Sequence, residues 1–168
     1  MLPRTIGLAS LLLVVLATAV AHGTAAEWGT IRPGTSTMEA VRARFGAASK
    51  MSTQKQEGYD AALWVYEGAA APPGFTRLTV EFGLVTPLGF RVDLVRDFTL
   101  VPKPGVFDRQ TILNGWGPPA RVGREGDREV FLYQQGLLVY FGKDGWDAQL
   151  MMFTPPQPLT DEPAQPRP

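Results

Sequence analysis

Cysteine is absent from this 168-residue chain, and histidine occurs once, at His22. Without cysteine the chain has no disulfide, no thiol nucleophile and no thiolate metal site. Without a histidine after position 22, the common nucleophile–base pairs and the usual zinc sites are excluded from the rest of the chain. The sequence therefore predicts a protein that is not an enzyme, with no catalytic residue, no cofactor and no metal site.

An excess of charge is also lacking, because 16 basic side chains balance 16 acidic ones. This balance gives no electrostatic reason to expect nucleic acid or an anionic membrane as a partner. Carboxylates remain candidates for chemistry, either as a catalytic pair at Asp144 and Asp147 or as calcium ligands. A turn favoured by Asp-Gly is the better interpretation of Asp144, and a solvated charged loop is the better interpretation of Glu125, Asp127 and Glu129.

The chain has one long apolar run, at residues 6–21, which follows Arg4 and precedes small residues at 24–26. This order is typical of a secretory signal peptide, and the run is short for a membrane span. We expect residues 1–26 to be removed, although an uncleaved N-terminal anchor is the alternative. No cysteine at the cleavage site is available for a lipid anchor, so we expect a periplasmic or secreted protein without an integral membrane span.

A short motif of glycines and large apolar residues occurs twice, which indicates an internal duplication. The residues that recur at one offset of 71 positions are Pro33-Gly34, Val41 and Phe45-Gly46, which correspond to Pro104-Gly105, Ile112 and Trp116-Gly117. Later matches include Trp64 to Tyr66 with Phe131 to Tyr133, and Val92 with Ala148. Chance alignment of common glycines and aromatics is the alternative.

Each half begins with a predicted helix. A capping box at Ser36 and Glu39 predicts the start of the first helix, and Gly46 predicts its end. Asp108 is the predicted N-cap of the second helix, which ends at Gly117. Residues 47–60 are polar and predict a loop or a poorly formed helix, and residues 121–129 predict a charged loop.

Alternation of apolar and polar residues predicts three strands after each helix. The predicted fold class is α+β, with two helix-plus-three-strand repeats forming one antiparallel sheet and the helices packed on one face. Repeat one covers about residues 31–100 and repeat two about residues 101–153, within one domain at 27–153. Six prolines after residue 154 predict a disordered tail at residues 154–168.

The motif formed by Ile31, Pro33-Gly34-Thr35, Val41 and Phe45-Gly46, followed by Trp64-Val-Tyr66, resembles the SmpA/OmlA (BamE) family of bacterial envelope proteins. Two such units in tandem resemble the arrangement of the β-lactamase inhibitory protein. The resemblance implies an envelope adaptor or an inhibitor-like module that binds another protein, and it does not imply catalysis. The chain departs from the BamE pattern because that family is anchored to lipid through a cysteine.

Both sides of the second-half strands are apolar, in contrast to the first half. We therefore expect a partner-binding surface, since a sizeable exposed aromatic patch usually marks an interaction site. The predicted partner-binding residues are Phe131, Tyr133, Leu138, Tyr140 and Met151. Cover by the chain itself, through Trp28 or residues 154–159, and a misread strand parity are the alternatives.

The function predicted from the sequence is a non-catalytic secreted or periplasmic protein-binding module of BamE-like type. Its partner would be another envelope or secreted protein, not nucleic acid. The alternative is a carrier of a lipid or other small hydrophobic ligand, with an apolar cavity between the helices and the sheet.

Overall fold

The computed structural model describes residues 25–56 and 58–156. One antiparallel sheet contains eight strands in the order β1-β2-β3-β4-β8-β7-β6-β5. The helices are α1 (Met38–Phe45) and α2 (Arg109–Trp116), and the strands are β1 (Lys50–Gln56), β2 (Tyr59–Glu67), β3 (Phe75–Thr86), β4 (Gly89–Pro102), β5 (Arg121–Glu125), β6 (Arg128–Leu132), β7 (Leu137–Phe141) and β8 (Ala148–Phe153). Most of the predicted signal peptide and of the predicted tail lies outside the described residues. Neither helix in the described part is long and apolar enough to cross a membrane.

The predicted fold class of two helix-plus-three-strand repeats is wrong. The described chain is mostly an eight-stranded antiparallel sheet with two short helices, and each helix is followed by four strands. The two strands missing from the prediction, β1 and β5, are the edges of the sheet. Their residues are mostly exposed, so they lack the apolar alternation by which strands are recognised in a sequence.

The start of α1 differs from the predicted capping box. Thr37 is the N-cap, and its hydroxyl accepts a hydrogen bond from the Ala40 N–H at 3.3 Å. The Ser36 hydroxyl instead accepts from the Arg32 N–H at 3.0 Å, within the turn before the helix. One face of α1 packs on the sheet, because Val41 is buried while Met38 and Phe45 pack against the core at either end of the helix.

The predicted N-cap of α2 is confirmed. The Asp108 carboxylate accepts from the Thr111 N–H at 2.7 Å, and this hydrogen bond lowers the pKa of Asp108. Both helices end at the predicted glycines, Gly46 and Gly117, with φ of 78° and 75°. Glycine adopts this left-handed region without the steric cost of a Cβ atom.

A tyrosine of the sheet forms a hydrogen bond with the end of each helix. The Tyr66 hydroxyl donates to the Gly46 carbonyl at 3.4 Å, and the Tyr133 hydroxyl donates to the Gly117 carbonyl at 3.0 Å. Burial raises the pKa of both tyrosines above the usual value. The two halves therefore repeat the same contact between helix and sheet.

The two halves join between β4 and β8 through three residue pairs: Phe98 with Phe153, Thr99 with Met152, and Leu100 with Met151. The Phe98 and Phe153 rings stack across this seam, with centroids 4.5 Å apart. Both phenylalanines are at most 1% exposed. One core thus continues from the first half to the second.

The hairpin of β3 and β4 corrects two details of the predicted repeat. Val92, which the predicted repeat aligns with Ala148, is 52% exposed. The pairing of β3 with β4 shifts near Phe82, and beyond this shift the hairpin extends past the neighbouring strands. Val95, rather than Val92, corresponds to Ala148. The Val95 N–H donates to the Ser36 carbonyl ahead of α1, as the Ala148 N–H does to the Phe107 carbonyl ahead of α2.

Candidate binding surface

The two faces of the sheet have different surroundings. One face packs against α1 and α2, with Val41 and Ile112 at 0% exposure, and we call it the helix face. The other we call the open face, because among residues 25–56 and 58–156 neither helix packs on it. Directly paired residues of neighbouring strands point to the same face, so the strand register assigns each side chain to one of the two.

The five predicted partner-binding residues are divided between these faces. Phe131, Tyr133 and Met151 are 3%, 6% and 0% exposed and belong to the core on the helix face. Leu138 and Tyr140 lie on the open face and are half-buried. The structure therefore leaves only Leu138 and Tyr140 available to a partner.

Of the three predicted residues that lie in the core, Met151 was included because of a misread parity in β8. Leu138 pairs with Met152 and Tyr140 pairs with Leu150, whereas Met151 pairs with Val139 in the core. On the other side of β7, Leu132 pairs with Leu138. The apolar surface of the second half, which we call the open-face patch, consists of Leu132, Leu138, Tyr140, Leu150 and Met152, all half-buried.

Tyr140 is held in place at one side of the open-face patch. The Arg128 guanidinium lies over its ring, 5.0 Å from the centroid. Burial raises the pKa of the Tyr140 hydroxyl, and the neighbouring Glu125 carboxylate raises it further. Tyr140 is thus a neutral, half-buried aromatic side chain at the surface, which is the type that dominates many protein interfaces.

The first half of the open face carries charged residues beside the half-buried apolar residues Leu63 and Val65. Arg96 forms ion pairs with Glu81 and Asp97, and Gln54 donates to Glu81 at 3.1 Å. Burial raises the pKa of Asp97, while the hydrogen bond from Arg96 lowers it. These charges neutralise one another and form a polar surface next to the open-face patch.

Neither segment considered as cover lies over the open-face patch within the described residues. Trp28 packs on the helix side, stacked on Phe45 at 5.6 Å and edge-on to Phe75 at 4.9 Å. The Thr154 N–H donates to the Gly136 carbonyl, which directs residues 154–156 past the turn between β6 and β7. The rest of the predicted tail lies outside the described residues.

The tip of the β3–β4 hairpin is a second exposed apolar region, and sequence reasoning missed it. Val85 and Leu88 are 53% and 95% exposed. Behind them the Tyr59 and Phe90 rings stack at 4.3 Å. The available signal was the segment Leu84-Val-Thr-Pro-Leu88, whose apolar residues surround a turn-forming proline.

The position of the Phe90 ring requires that residue 83 has no side chain. A Cβ atom at Gly83, where φ is +96°, would lie 2.8 Å from Phe90 Cζ. Gly89 has a similar φ of +107°, but nothing lies within 4 Å of its Cβ position. We expect Gly83→Ala to lower the free energy of unfolding by roughly 1–3 kcal/mol more than Gly89→Ala does, because only Gly83→Ala adds overpacking to backbone strain. Urea unfolding of both variants tests this expectation, and equal losses would show that the ring does not pack there.

Three of the acidic residues considered for chemistry, Glu129, Asp127 and Asp144, have other partners. Glu129 pairs with Arg109 at 2.5 Å and Asp127 pairs with Lys143 at 2.9 Å. Asp144 accepts from the Trp146 N–H within its turn. Within the described ranges, no group of three or more histidine, cysteine, aspartate or glutamate side chains is placed to hold a metal ion.

A cleft of about 430 Å³ lies beside the end of α1. It is lined by Trp28, Arg44 and Phe45 on one side and by residues 69–73 of the β2–β3 connection on the other. The Arg44 side chain donates to the Gly29 carbonyl at 3.0 Å. The cleft is partly aromatic and lies at the surface, outside the space between the helices and the sheet.

Comparison with known proteins finds no matching family model and no matching curated protein. Among solved structures, the chain is similar to the crystal structure of a DUF4309 family protein (YjgB) from Bacillus subtilis subsp. subtilis str. 168. The identity is 14%, the TM-score is 0.46, and the alignment covers 75% of this chain and 82% of that one.

The resemblance to the SmpA/OmlA (BamE) family is wrong, since neither a family model nor a curated protein matches the chain. The residues that suggested it have local roles. Gly34 and Gly46 provide left-handed backbone around a short helix, and Val41 and Phe45 pack that helix on the sheet. Many unrelated folds require the same pattern at a capped helix.

Proposed function

We propose that this chain is a non-catalytic protein-binding module that contacts its partner through the open-face patch. The supporting observation is the difference between the faces of the second half. Its helix face is filled by α2 and the core, whereas its open face presents leucine, tyrosine and methionine to solvent. Apolar surface of this kind bordered by polar residues is characteristic of interaction sites.

The lack of a catalytic role is supported by composition. The chain has no cysteine and its one histidine is His22, so proton transfer would depend on carboxylates. Glu129, Asp127 and Asp97 each have a cationic partner. We therefore assign these carboxylates to structural ion pairs rather than to proton transfer.

Export to the periplasm or the exterior is supported by the signal-like residues 1–26 of the sequence. Ala26 is buried and its N–H donates to the Gln135 carbonyl at 2.7 Å, so cleavage directly after Ala26 would remove a contact that the fold uses. The intact mass of the exported protein measures the N-terminus. A full-length mass that begins at Met1 would contradict a cleaved signal.

Photo-cross-linking from a single open-face position tests the binding function. We expect benzoylphenylalanine at position 140 to form one discrete covalent adduct in the cells that naturally produce the protein. The matched control is the same substitution at Gln110, an exposed residue of α2. An adduct from neither position, or the same adduct from both, would contradict binding through the open face.

The adduct identifies a partner whose affinity can then be measured. We expect Tyr140→Ala to weaken the binding of this partner by more than about 1 kcal/mol, as is usual for an aromatic anchor. Thermal unfolding of the same variant is the control for folding. A loss of stability near 3 kcal/mol, typical of a buried aromatic residue, would show that the chain itself covers Tyr140.

A carrier of a small hydrophobic ligand is the second candidate, favoured by the cleft beside Trp28 and Phe45. Its volume of about 430 Å³ lies within the common range of ligand sites. Native mass spectrometry of protein purified from its natural source distinguishes the two functions. A carrier would show additional mass from a bound small molecule, and this mass would decrease in Trp28→Ala.

A further inference from the structure

The sheet ends in two edge strands, β1 and β5, each paired on one side within the described chain. The outer side of an edge strand presents backbone N–H and C=O groups that an extended segment of another protein can pair with. Side chains on and beside the edge decide which segments are attracted. The two edges differ in this respect.

The lysines of β1 are neutralised within the chain. Lys50 pairs with Glu67 at 2.5 Å, and Lys55 pairs with Asp60 at 2.7 Å. Charged residues of this kind on an edge strand discourage the addition of further strands. The β1 edge therefore presents little net charge to an approaching segment.

The arginines of β5 have no such partners. Arg121 and Arg124 are exposed, and neither forms an ion pair with a described residue. Among the nearby acids, Glu129 pairs with Arg109 and Asp127 pairs with Lys143, while Glu125 at the end of β5 lies beside the Tyr140 hydroxyl. Exposed positive charge therefore remains at β5 on both faces of the sheet.

The side chains of β5 place this charge beside apolar surface. Arg121 pairs with Leu132 and so lies on the open face, whereas Arg124 points to the other face with Val122, which is 56% exposed. A Cβ atom at Gly123 would lie 3.3 Å from the Leu132 side chain, so the glycine leaves Leu132 room to extend toward the edge. Because Arg121 and Arg124 lie on opposite faces, a segment that carries carboxylates and apolar side chains on both of its own faces matches this arrangement.

We propose that an extended acidic segment of the partner protein pairs with β5 as a ninth strand. This inference rests on the proposed protein-binding function and specifies the partner's chemistry. The backbone groups of β5 supply the pairing, Arg121 and Arg124 select carboxylates, and Val122 and Leu132 contact the apolar residues between them. The added strand lies next to the open-face patch, so one partner contacts both.

Designed peptides test the proposal without a known partner. A fluorescein-labelled twelve-residue peptide that repeats Glu-Glu-Val-Val, called the Glu-Val peptide, presents carboxylates and valines on both faces of an extended strand. It should bind, as measured by fluorescence anisotropy. A peptide that repeats Glu-Glu-Pro-Pro, the Glu-Pro peptide, has fewer backbone donors at the same charge, and a peptide that repeats Lys-Lys-Val-Val reverses the charge. We expect both to bind roughly tenfold more weakly or worse, since one loses the backbone pairing and the other the charge attraction.

Matched charge reversals at the two edges locate the site. The double substitution of Arg121→Glu and Arg124→Glu should weaken the binding of the Glu-Val peptide roughly tenfold or more. The double substitution of Lys50→Glu and Lys55→Glu should leave the affinity for the same peptide unchanged. Circular dichroism confirms that each variant is folded, and Arg121→Gln with Arg124→Gln provides a milder second pair. Hydrogen exchange of residues 121–125 should slow when the Glu-Val peptide is bound.

Several results would overturn strand addition at β5: no binding of the Glu-Val peptide, equal binding of the Glu-Pro peptide, or an equal loss from the β1 reversals. Tighter binding of a single-stranded oligonucleotide would indicate that the arginines select phosphate instead. If the peptide fails while position 140 still yields its specific adduct, the proposed function stands and the acidic strand is wrong. If position 140 gives no adduct, the proposed function itself fails.

Discussion

Phe153→Ala is expected to lower the free energy of unfolding by about 3–5 kcal/mol, the range of buried phenylalanine truncations. Phe153 is 0% exposed and stacks on Phe98 at the seam of β4 and β8. This seam has three residue pairs, so the loss of one ring affects the cohesion of both halves. Urea unfolding measures the change.

The control for this substitution is Trp146→Ala. Trp146 is also a large aromatic residue of the second half, but it is 53% exposed. Its truncation should change stability by no more than about 0.5 kcal/mol, as is usual at surfaces. Equal effects of the two substitutions would show that the seam is not a packed core.

Val41→Ala and Ile112→Ala should each cost about 2–4 kcal/mol through lost burial and a residual cavity. Both side chains are 0% exposed and occupy the same position on α1 and α2. The effects should be similar because each helix is short and is held mainly by this one buried residue and its neighbours. Thermal or urea unfolding of both variants tests the equivalence of the halves.

Val106→Ala is the matched control, since Val106 is 43% exposed. The free energy of unfolding of Val106→Ala should stay within about 0.5 kcal/mol of that of the parent protein. A comparably small loss at Val41 or Ile112 would show that the helix carrying it is not packed as described.

The elements that bury one face were predictable from the sequence. Both helices have a buried residue, an N-cap and a glycine stop, and β7 and β3 alternate clearly, as Leu137, Val139 and Phe141 illustrate. Each of these signals follows from local geometry and burial. The edge strands have neither signal, because any polar residue is tolerated at a solvent-exposed position. The sequence therefore predicts a loop or a poorly formed helix in place of β1 and a charged loop in place of β5.

The candidate site was only partly predictable, because strand parity depends on register. In β8, residues of both parities are apolar, so the sequence alone does not distinguish Met151 from Met152. The register with β7 decides it, and this register is set by contacts far apart in the chain. The exposed Val92 was missed for a related reason, since shifts in the pairing near Phe82 alter which side chains face the core.

Thiol labelling of single cysteines tests most directly whether the open-face patch is accessible, and the cysteine-free chain makes each introduced thiol unique. Met152→Cys places a thiol in the open-face patch, and Met151→Cys places one in the core, one residue away. We expect a maleimide to label position 152 in the full exported chain at least roughly tenfold faster than position 151, because a buried thiol reacts only after local opening. Equal protection of the two positions would show that the chain covers its own open face, and would contradict binding through it.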